Sequence, residues 1–297
     1  RQRATTAEHE IQVIEEHVAY ETDKYNVMVA VANPSNATDL IQGTYHICGA
    51  KDAQVELIHM VSFPDQIPLE DMSRFVTPAK EALMEVMLRL SIHFPINTTI
   101  RYCRNVARGI VSAVKEKKIN MLVVGWHGRA SSTIFNIGST VDPIIEQAPC
   151  DIVVMKDCGG NKKFNNIVVP IAGGPNSAMA MEIASIVAEE NATITVITVD
   201  NGSREFDLNS FVKETAEKLN LPSDRFKTKV IKSKSTVLGI LRTAKHFDLV
   251  VMGTSNKPIA SQLMKISLPE KIARRCKTPM IITKSGKGVR SWLKWWI

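Results

Sequence analysis

Lys24-Tyr-Asn-Val-Met-Val-Ala-Val-Ala32 and Lys163-Phe-Asn-Asn-Ile-Val-Val-Pro-Ile-Ala172 are two versions of one pattern. Each is a short apolar, β-branched run bounded by Asn, Pro or Gly, which reads as a strand buried on both faces of a parallel sheet. Each is followed by a helical stretch, 37–48 and 177–189, and then by a second strand, 54–61 and 193–199. The match continues downstream. Met121-Leu-Val-Val-Gly125 answers Leu249-Val-Val-Met-Gly253, and Ala148-Pro-Cys-Asp-Ile-Val-Val-Met155 answers Cys276-Lys-Thr-Pro-Met-Ile-Ile-Thr283. The two glycines are 253 − 125 = 128 residues apart, too long a period for a solenoid and right for a duplicated domain.

Within each copy the order is β-α-β-α-β-α-β-α-β. Strands alternating with helices imply a five-stranded parallel sheet with helices on both faces. The boundaries read as a first domain over 24–157 and a second over 163–285, joined by polar Lys156-Asp-Cys-Gly-Gly-Asn-Lys-Lys163. Residues 1–23 form a charged connector in which Ile11, Ile14 and Val18 fall at helical spacing. Residues 286–297 form a basic, aromatic tail. Trp292 to Ile297, with Arg290 and Lys294, suits a membrane interface. Packing on a neighbouring subunit, or disorder, is the equal alternative.

Length and composition agree with this plan. At about 150 residues per domain, 297 residues give two domains. Apolar residues at 44% and charged residues at 23% exclude a disordered tail, a collagen-like rod and a disulfide miniprotein. The net charge of +7 reads as spread along the chain and not as the cluster that a nucleic-acid binder shows. Five cysteines, an odd number without CxxC spacing, fit reduced thiols in a cytosolic setting. No apolar run approaches the ~18 residues of a membrane span. The first residue is Arg1 and not methionine, so the chain reads as a piece of a longer one.

In an open parallel sheet, ligands bind beyond the carboxyl ends of the strands, at the topological switch point. The loop after the fourth strand of the first copy occupies that place, from Gly125 through His127, Gly128 and Arg129 to Gly138, Ser139 and Thr140. Its spacing is G-x2-G-x9-G-S. Glycines let a ligand approach the main chain, and the helix that follows offers N–H groups to an anion. Ser139 with Asp142 also fits a capping box, and Asp142 before Pro143 fits a cap with proline at the first helical position.

Gly125-x2-Gly128-x9-Gly138-Ser139 resembles the ATP-binding motif of the universal stress protein family, and the duplication over about 24–285 is similar to a tandem pair of such domains. The resemblance implies two flavodoxin-like domains of the adenine nucleotide alpha-hydrolase-like kind, which pair through their last strands, here 152–155 and 280–283. Val29-Ala-Val-Ala-Asn33-Pro34 and Val169-Pro-Ile-Ala-Gly173-Gly174-Pro175-Asn176 resemble the variants found behind amino acid permeases of the cationic-transporter type. The lead Glu8 to Glu16 resembles the connector from their last membrane helix.

The family motif implies an adenine nucleotide, ATP or another, with Mg2+ as its companion. Gly125 to Gly128 would approach ribose and phosphates, Gly138, Ser139 and Thr140 would hold the phosphates, and the Met60 main chain would meet adenine. His127 and Arg129 are further phosphate candidates. At the end of the first strand the family carries an acidic residue where this chain has Ala32, and Asn33 is the neighbouring polar substitute. The implied setting is a regulatory module on the cytoplasmic face of the cell membrane. Its partners would be the transmembrane permease portion of the parent chain and a second copy in a homo-dimer, with a membrane surface touching the tail and no nucleic acid.

The second copy departs from the motif. Asn256 stands at the second glycine, Ile266 at the third, Ala172 at the acidic position, and only Ser267 remains, so a structural role is expected there. Lys257 and Lys265 could attract an anion. No paired carboxylates and no nucleophile with a partner base are evident, so the chain reads as a binding module and not an enzyme. The remaining histidines lack metal-ligand spacing. His59 reads as a satisfied core or cleft residue, and 84–90 as the apolar face of a helix.

Overall fold

The computed structural model describes residues 11–17, 24–31, 37–62, 80–81, 84, 96–126, 141–159, 162–202, 206–254 and 267–286. They fall into two compact units. One holds the described residues up to Gly125 together with 141–150, and the other holds Trp126 and those from Asp151 onward.

The first unit contains strands β1 (Ile11–His17), β2 (Tyr25–Val31), β3 (Ala53–Ser62), β4 (Ile96–Cys103) and β5 (Met121–Gly125). Its helices are α1 (Ala37–Ala50), α2 (Val106–Glu116) and α3 (Val141–Gln147). The strands lie in the order β1-β4-β3-β2-β5. β2, β3, β4 and β5 run parallel, as the alternation with helices requires. Val27, Met28 and Val29 are fully buried, so the central strand is covered on both faces. Burying each such side chain contributes roughly 1.5–3 kcal/mol. Asn105 caps α2 by accepting the Arg108 N–H at 3.0 Å.

The connector departs from the helical spacing of Ile11, Ile14 and Val18. Residues 11–17 form a strand antiparallel to β4, with a bulge between Val13 and Glu15. An open ladder on β4 offers these residues more main-chain hydrogen bonds than an isolated short helix could secure. Val18 lies outside the described residues, as does most of 84–90. Met84 is helical but 52% exposed, so it is not part of a core.

The second unit contains β6 (Asp151–Lys156), β7 (Asn166–Pro170), β8 (Thr193–Asp200), β9 (Phe226–Lys232), β10 (Leu249–Gly253) and β11 (Met280–Lys284). Its helices are α4 (Pro175–Val187), α5 (Leu208–Lys218), α6 (Thr236–Ala244) and α7 (Leu268–Ala273). The order is β6-β11-β10-β7-β8-β9, in which β7 to β11 run parallel and β6 is antiparallel to β11. The pairing expected of the last strands is present, with Met155 opposite Ile281 and Ile152 opposite Lys284. The last strand of the first repeat is therefore hydrogen-bonded within the second compact unit. Gly173 and Gly174, at φ of +86° and +85°, make the turn into α4, where Pro175 takes the first position. Asp207 and Ser235 cap α5 and α6 by accepting the Ser210 and Leu238 N–H groups.

Cys48, Cys103, Cys150, Cys158 and Cys276 are all buried, and none forms a disulfide. Burial pushes Cys48 and Cys158 up to about 12 and Cys103 up to about 11. A thiol-reactive chromophore at pH 8 is therefore expected to label none of the five in the native chain and all five in denaturant. Fast labelling of any one without unfolding would contradict the packing described.

Candidate functional site

β2 is the switch point of the first unit, because the chain passes to β3 and β4 on one side and to β5 on the other. Its carboxyl end is flanked by those of β3 and β5. The ladder with β5 ends at Ala30 opposite Val124, one residue before Gly125, which is half-buried. The ladder with β3 ends at Val31 opposite His59, so among the described residues Met60 is the first residue of β3 beyond its β2 partner. Gly125 and Met60 thus stand on either side of the end of β2. Ala32, Asn33, His127, Gly128, Arg129, Gly138, Ser139 and Thr140 lie outside the described residues.

Met60 can offer a ligand its main chain only. Its side chain turns into the core, where a Cβ on Gly109 of α2 would come within 3.1 Å of the sulfur and 3.2 Å of Cys103 Cβ. The neighbouring residue His59 points to the opposite face, since side chains alternate along a strand. Its Nδ1 lies 2.8 Å from the Val31 carbonyl oxygen, which can only accept, so Nδ1 carries the proton and Nε2 is left as an acceptor. Burial holds the imidazole below its ordinary 6.5, against the Val31 hydrogen bond. His59 is satisfied at Nδ1, in keeping with a core or cleft residue, and its place at the last rung beside the switch point is not readable from spacing alone. Its position near the carboxyl end of the second strand is the signal in the sequence that points there.

The corresponding end of the second unit is filled by the protein itself. A Cβ on Gly253 would lie 2.6 Å from both the carbonyl carbon and the oxygen of Asn176, so this glycine serves packing. Asn176 Nδ2 donates to the Thr254 carbonyl at 3.0 Å and to its hydroxyl at 2.9 Å, and Asn176 Oδ1 accepts the Ser285 N–H at 2.8 Å. The Thr283 hydroxyl donates to the Asn176 carbonyl. Phe206 closes over Gly173, 3.1 Å from where a Cβ would stand. Ser267, the residue of the motif that survives, caps α7 by accepting the Glu270 N–H at 3.3 Å. Asn256, Lys257, Lys265 and Ile266 lie outside the described residues. Ser139 and Asp142 occupy the same register as Ser267 and Glu270, 128 residues earlier. Pro143 sits in the first turn of α3, where its missing N–H costs nothing.

Charged groups also meet away from the strand ends, at the carboxyl end of α2, with Glu56, Arg101 and Lys117 side chains buried and Glu116 exposed. Lys117 reaches Glu56 at 3.2 Å, the Thr99 hydroxyl donates to Glu56 at 2.5 Å, and Arg101 forms a bidentate pair with Glu116 at 2.7 and 2.8 Å. The Arg101 hydrogen bonds hold the Glu116 carboxyl below its usual range. These pairs join β3 and β4 to the carboxyl end of α2, so they are structural. Among the described residues, no three His, Cys, Asp or Glu side chains are placed to hold a metal.

The universal stress protein family matches residues 25–156 and 163–284, both repeats and most of the chain. The chain belongs to that family. A universal stress protein of Archaeoglobus fulgidus DSM 4304 has the same fold, with a TM-score of 0.62 at 15% identity over 88% of this chain and 96% of that one. A second from Archaeoglobus fulgidus, solved in complex with dAMP, is 16% identical over 44% of this chain and 96% of its own, with a TM-score of 0.34. The Na(+)/H(+) antiporter NhaS5 of Synechocystis is 21% identical over 267 residues, 87% of this chain. The chain spans only 38% of that antiporter's length.

Two variants test the geometry of the two strand ends. Gly253→Ala drives a Cβ into main-chain atoms that cannot yield, so a loss of about 3 kcal/mol or more is expected in chemical denaturation. A loss under about 0.5 kcal/mol would mean that the Asn176 contact is not tight. His59 has a folded pKa below its unfolded 6.5, so below that pH the unfolded chain takes up the proton first. Its contribution to stability is intact above pH 6.5 and is lost as pH falls towards the folded value. His59→Asn, whose amide can still donate to Val31, is expected to flatten that part of the stability profile. An unchanged slope would assign it to other groups.

Proposed function

We propose that this chain is the cytosolic regulatory module of a membrane transporter and that its first repeat binds an adenine nucleotide. The observation that carries this reading is the divergence of the two repeats. The second has its strand ends plugged by Asn176 and Phe206 and its motif serine used as a cap. The first keeps G-x2-G-x9-G-S complete after β5, at a switch point. In this reading the main chain from Gly125 to Gly128 lies along ribose and phosphates. Gly138, Ser139 and Thr140 hold the phosphates, with His127 and Arg129 beside them. Met60 presents its main chain to adenine, and Asn33, next to Ala32, supplies the polar contact at the nucleoside. ATP, ADP and AMP share the adenosine end, and Mg2+ accompanies a polyphosphate. The role is binding, without turnover.

The alignment with over a third of an antiporter supports a transport protein as the parent. The variants at Val29 to Pro34 and Val169 to Asn176 favour an amino acid permease of the cationic type. The module then sits at the cytoplasmic face beside its transmembrane portion, as one of a homo-dimer. Regulation requires a nucleotide affinity that differs between two transporter states, and the coupling is reciprocal.

Calorimetric titration with ATP, ADP, AMP and cyclic AMP, with magnesium present, tests the reading. One saturable site per chain is expected. Gly138→Val should abolish it without unfolding the chain. Ser267→Ala should leave binding unchanged while removing about 1 kcal/mol of cap stability. No binding at millimolar nucleotide would leave a scaffold that only pairs copies of the transporter. Binding lost with Ser267→Ala but kept with Gly138→Val would place the site in the wrong repeat.

A further inference from the structure

The net charge of +7, read along the sequence as spread, is sharply divided on the fold. Residues 171–224 hold three basic and nine acidic side chains, 3 − 9 = −6, and residues 225–284 hold fourteen basic and two acidic, 14 − 2 = +12. The division falls between α5 and β9. Right-handed crossovers place α4 and α5 on one face of the second sheet and α6 and α7 on the other. The contacts agree. Thr228 of β9 donates to Asn209 of α5 at 2.6 Å, while a Cβ on Gly239 of α6 would meet Val199 of β8 at 3.2 Å. Val199, Ile197 and Thr195 stand opposite Ile231, Lys229 and Lys227, so both of these lysines share the α6 face.

On α6, Leu238, Arg242 and Lys245 are exposed at spacings of four and three, one outward stripe. α7 packs beside α6 and adds exposed Lys271, followed by Arg275 and Lys277. The two acids of the region are committed. Glu270 is paired with Arg274 at 2.6 Å, and Asp248 accepts the Asn165 and Asn166 N–H groups. Among the described residues, no carboxylate pairs with the other basic side chains of this face. Lysines on β9 guard an open sheet edge. The outward faces of α6 and α7 have no open ladder, so edge protection does not account for their charge.

We propose that the α6–α7 face of the second unit docks on an anionic lipid surface. Cationic side chains on outward helix faces, with Leu238 40% exposed among them, match a plane of acidic headgroups over a shallow apolar layer. The sequence after β11 favours lipid over nucleic acid. It carries Trp292, Trp295 and Trp296 among Lys287, Arg290 and Lys294 with no acidic residue, and indole prefers headgroup depth. This surface is separate from the nucleotide site proposed for the first repeat, and neither reading depends on the other.

Flotation of the full chain with phosphatidylcholine vesicles, with and without about one third phosphatidylserine, tests it. Binding is expected to the anionic vesicles only at about 0.1 M salt, and to be lost at about 1 M, where the Debye length falls to about 3 Å. The combined change Arg242→Glu, Lys245→Glu and Arg275→Glu should lower partitioning by about tenfold or more. Lys213→Glu with Lys218→Glu on α5 should leave it within about twofold. Circular dichroism checks folding, and the milder change of the same three residues to Gln, expected to weaken binding less, serves if the Glu variant does not fold. Equal binding to neutral vesicles, undiminished binding by the α6–α7 variants, or no vesicle binding with salt-sensitive retention of a DNA duplex or acidic peptide instead, would each overturn the proposal.

Discussion

A strand hydrogen-bonded on both edges and covered on both faces can meet a ligand only at its ends. β2 and β7 are in that position, with parallel neighbours on either side and side chains at or near zero exposure. Their sequences have to be apolar throughout, so chemistry is pushed into the loops beyond their carboxyl ends. That constraint fixes where each repeat can act before any functional residue is named. It also explains why the same place differs so much between the repeats. The strands cannot change without exposing or cavitating the core, while the loops can.

The described strand ends of the second repeat show how such a place can be closed by the chain itself. A crevice at strand ends leaves carbonyl and N–H groups facing it, and these need partners whether or not a ligand comes. Asn176 supplies them, reaching Thr254 and Ser285 with its side chain while its carbonyl accepts from Thr283. Gly253 has a packing reason to be glycine, because the Asn176 main chain occupies the space a Cβ would need. A glycine at a motif position therefore does not by itself argue for a ligand.

The strands and their repeat were legible in the sequence, because burial on both faces leaves continuous β-branched runs that no amphipathic helix shares. Met121–Gly125 and Leu249–Gly253 are strands over the residues expected. The edge was not legible. Ile11, Ile14 and Val18 fit a helical stripe, and only the ladder of β4 turns 11–17 into a strand, a tertiary cause that no local spacing records. His59 was readable as buried but not as the last rung beside β2, since register is a property of two strands. The charge division was present in the composition along the chain, yet it has meaning only once crossovers assign helices to faces.

The two outer edges make the same point in energetic terms. β9 ends its sheet with Lys227, Lys229 and Lys232 exposed, and Val230 stays 53% exposed beside them. β4 could not be left that way. Asn97, Thr98, Thr99 and Arg101 on it are buried, and Arg101 is only 1% exposed although it is charged. Its charge is met by the exposed Glu116 through two hydrogen bonds, while the buried Arg101 Nε is left without a partner. β1 pairs along the edge of this strand, with Val13 opposite Arg101. β4 thus buries polar Asn97, Thr98, Thr99 and Arg101 alongside apolar Ile100, Tyr102 and Cys103. The connector is joined to β4 by a ladder of main-chain hydrogen bonds, whose net worth is modest because water offers the same groups alternative partners.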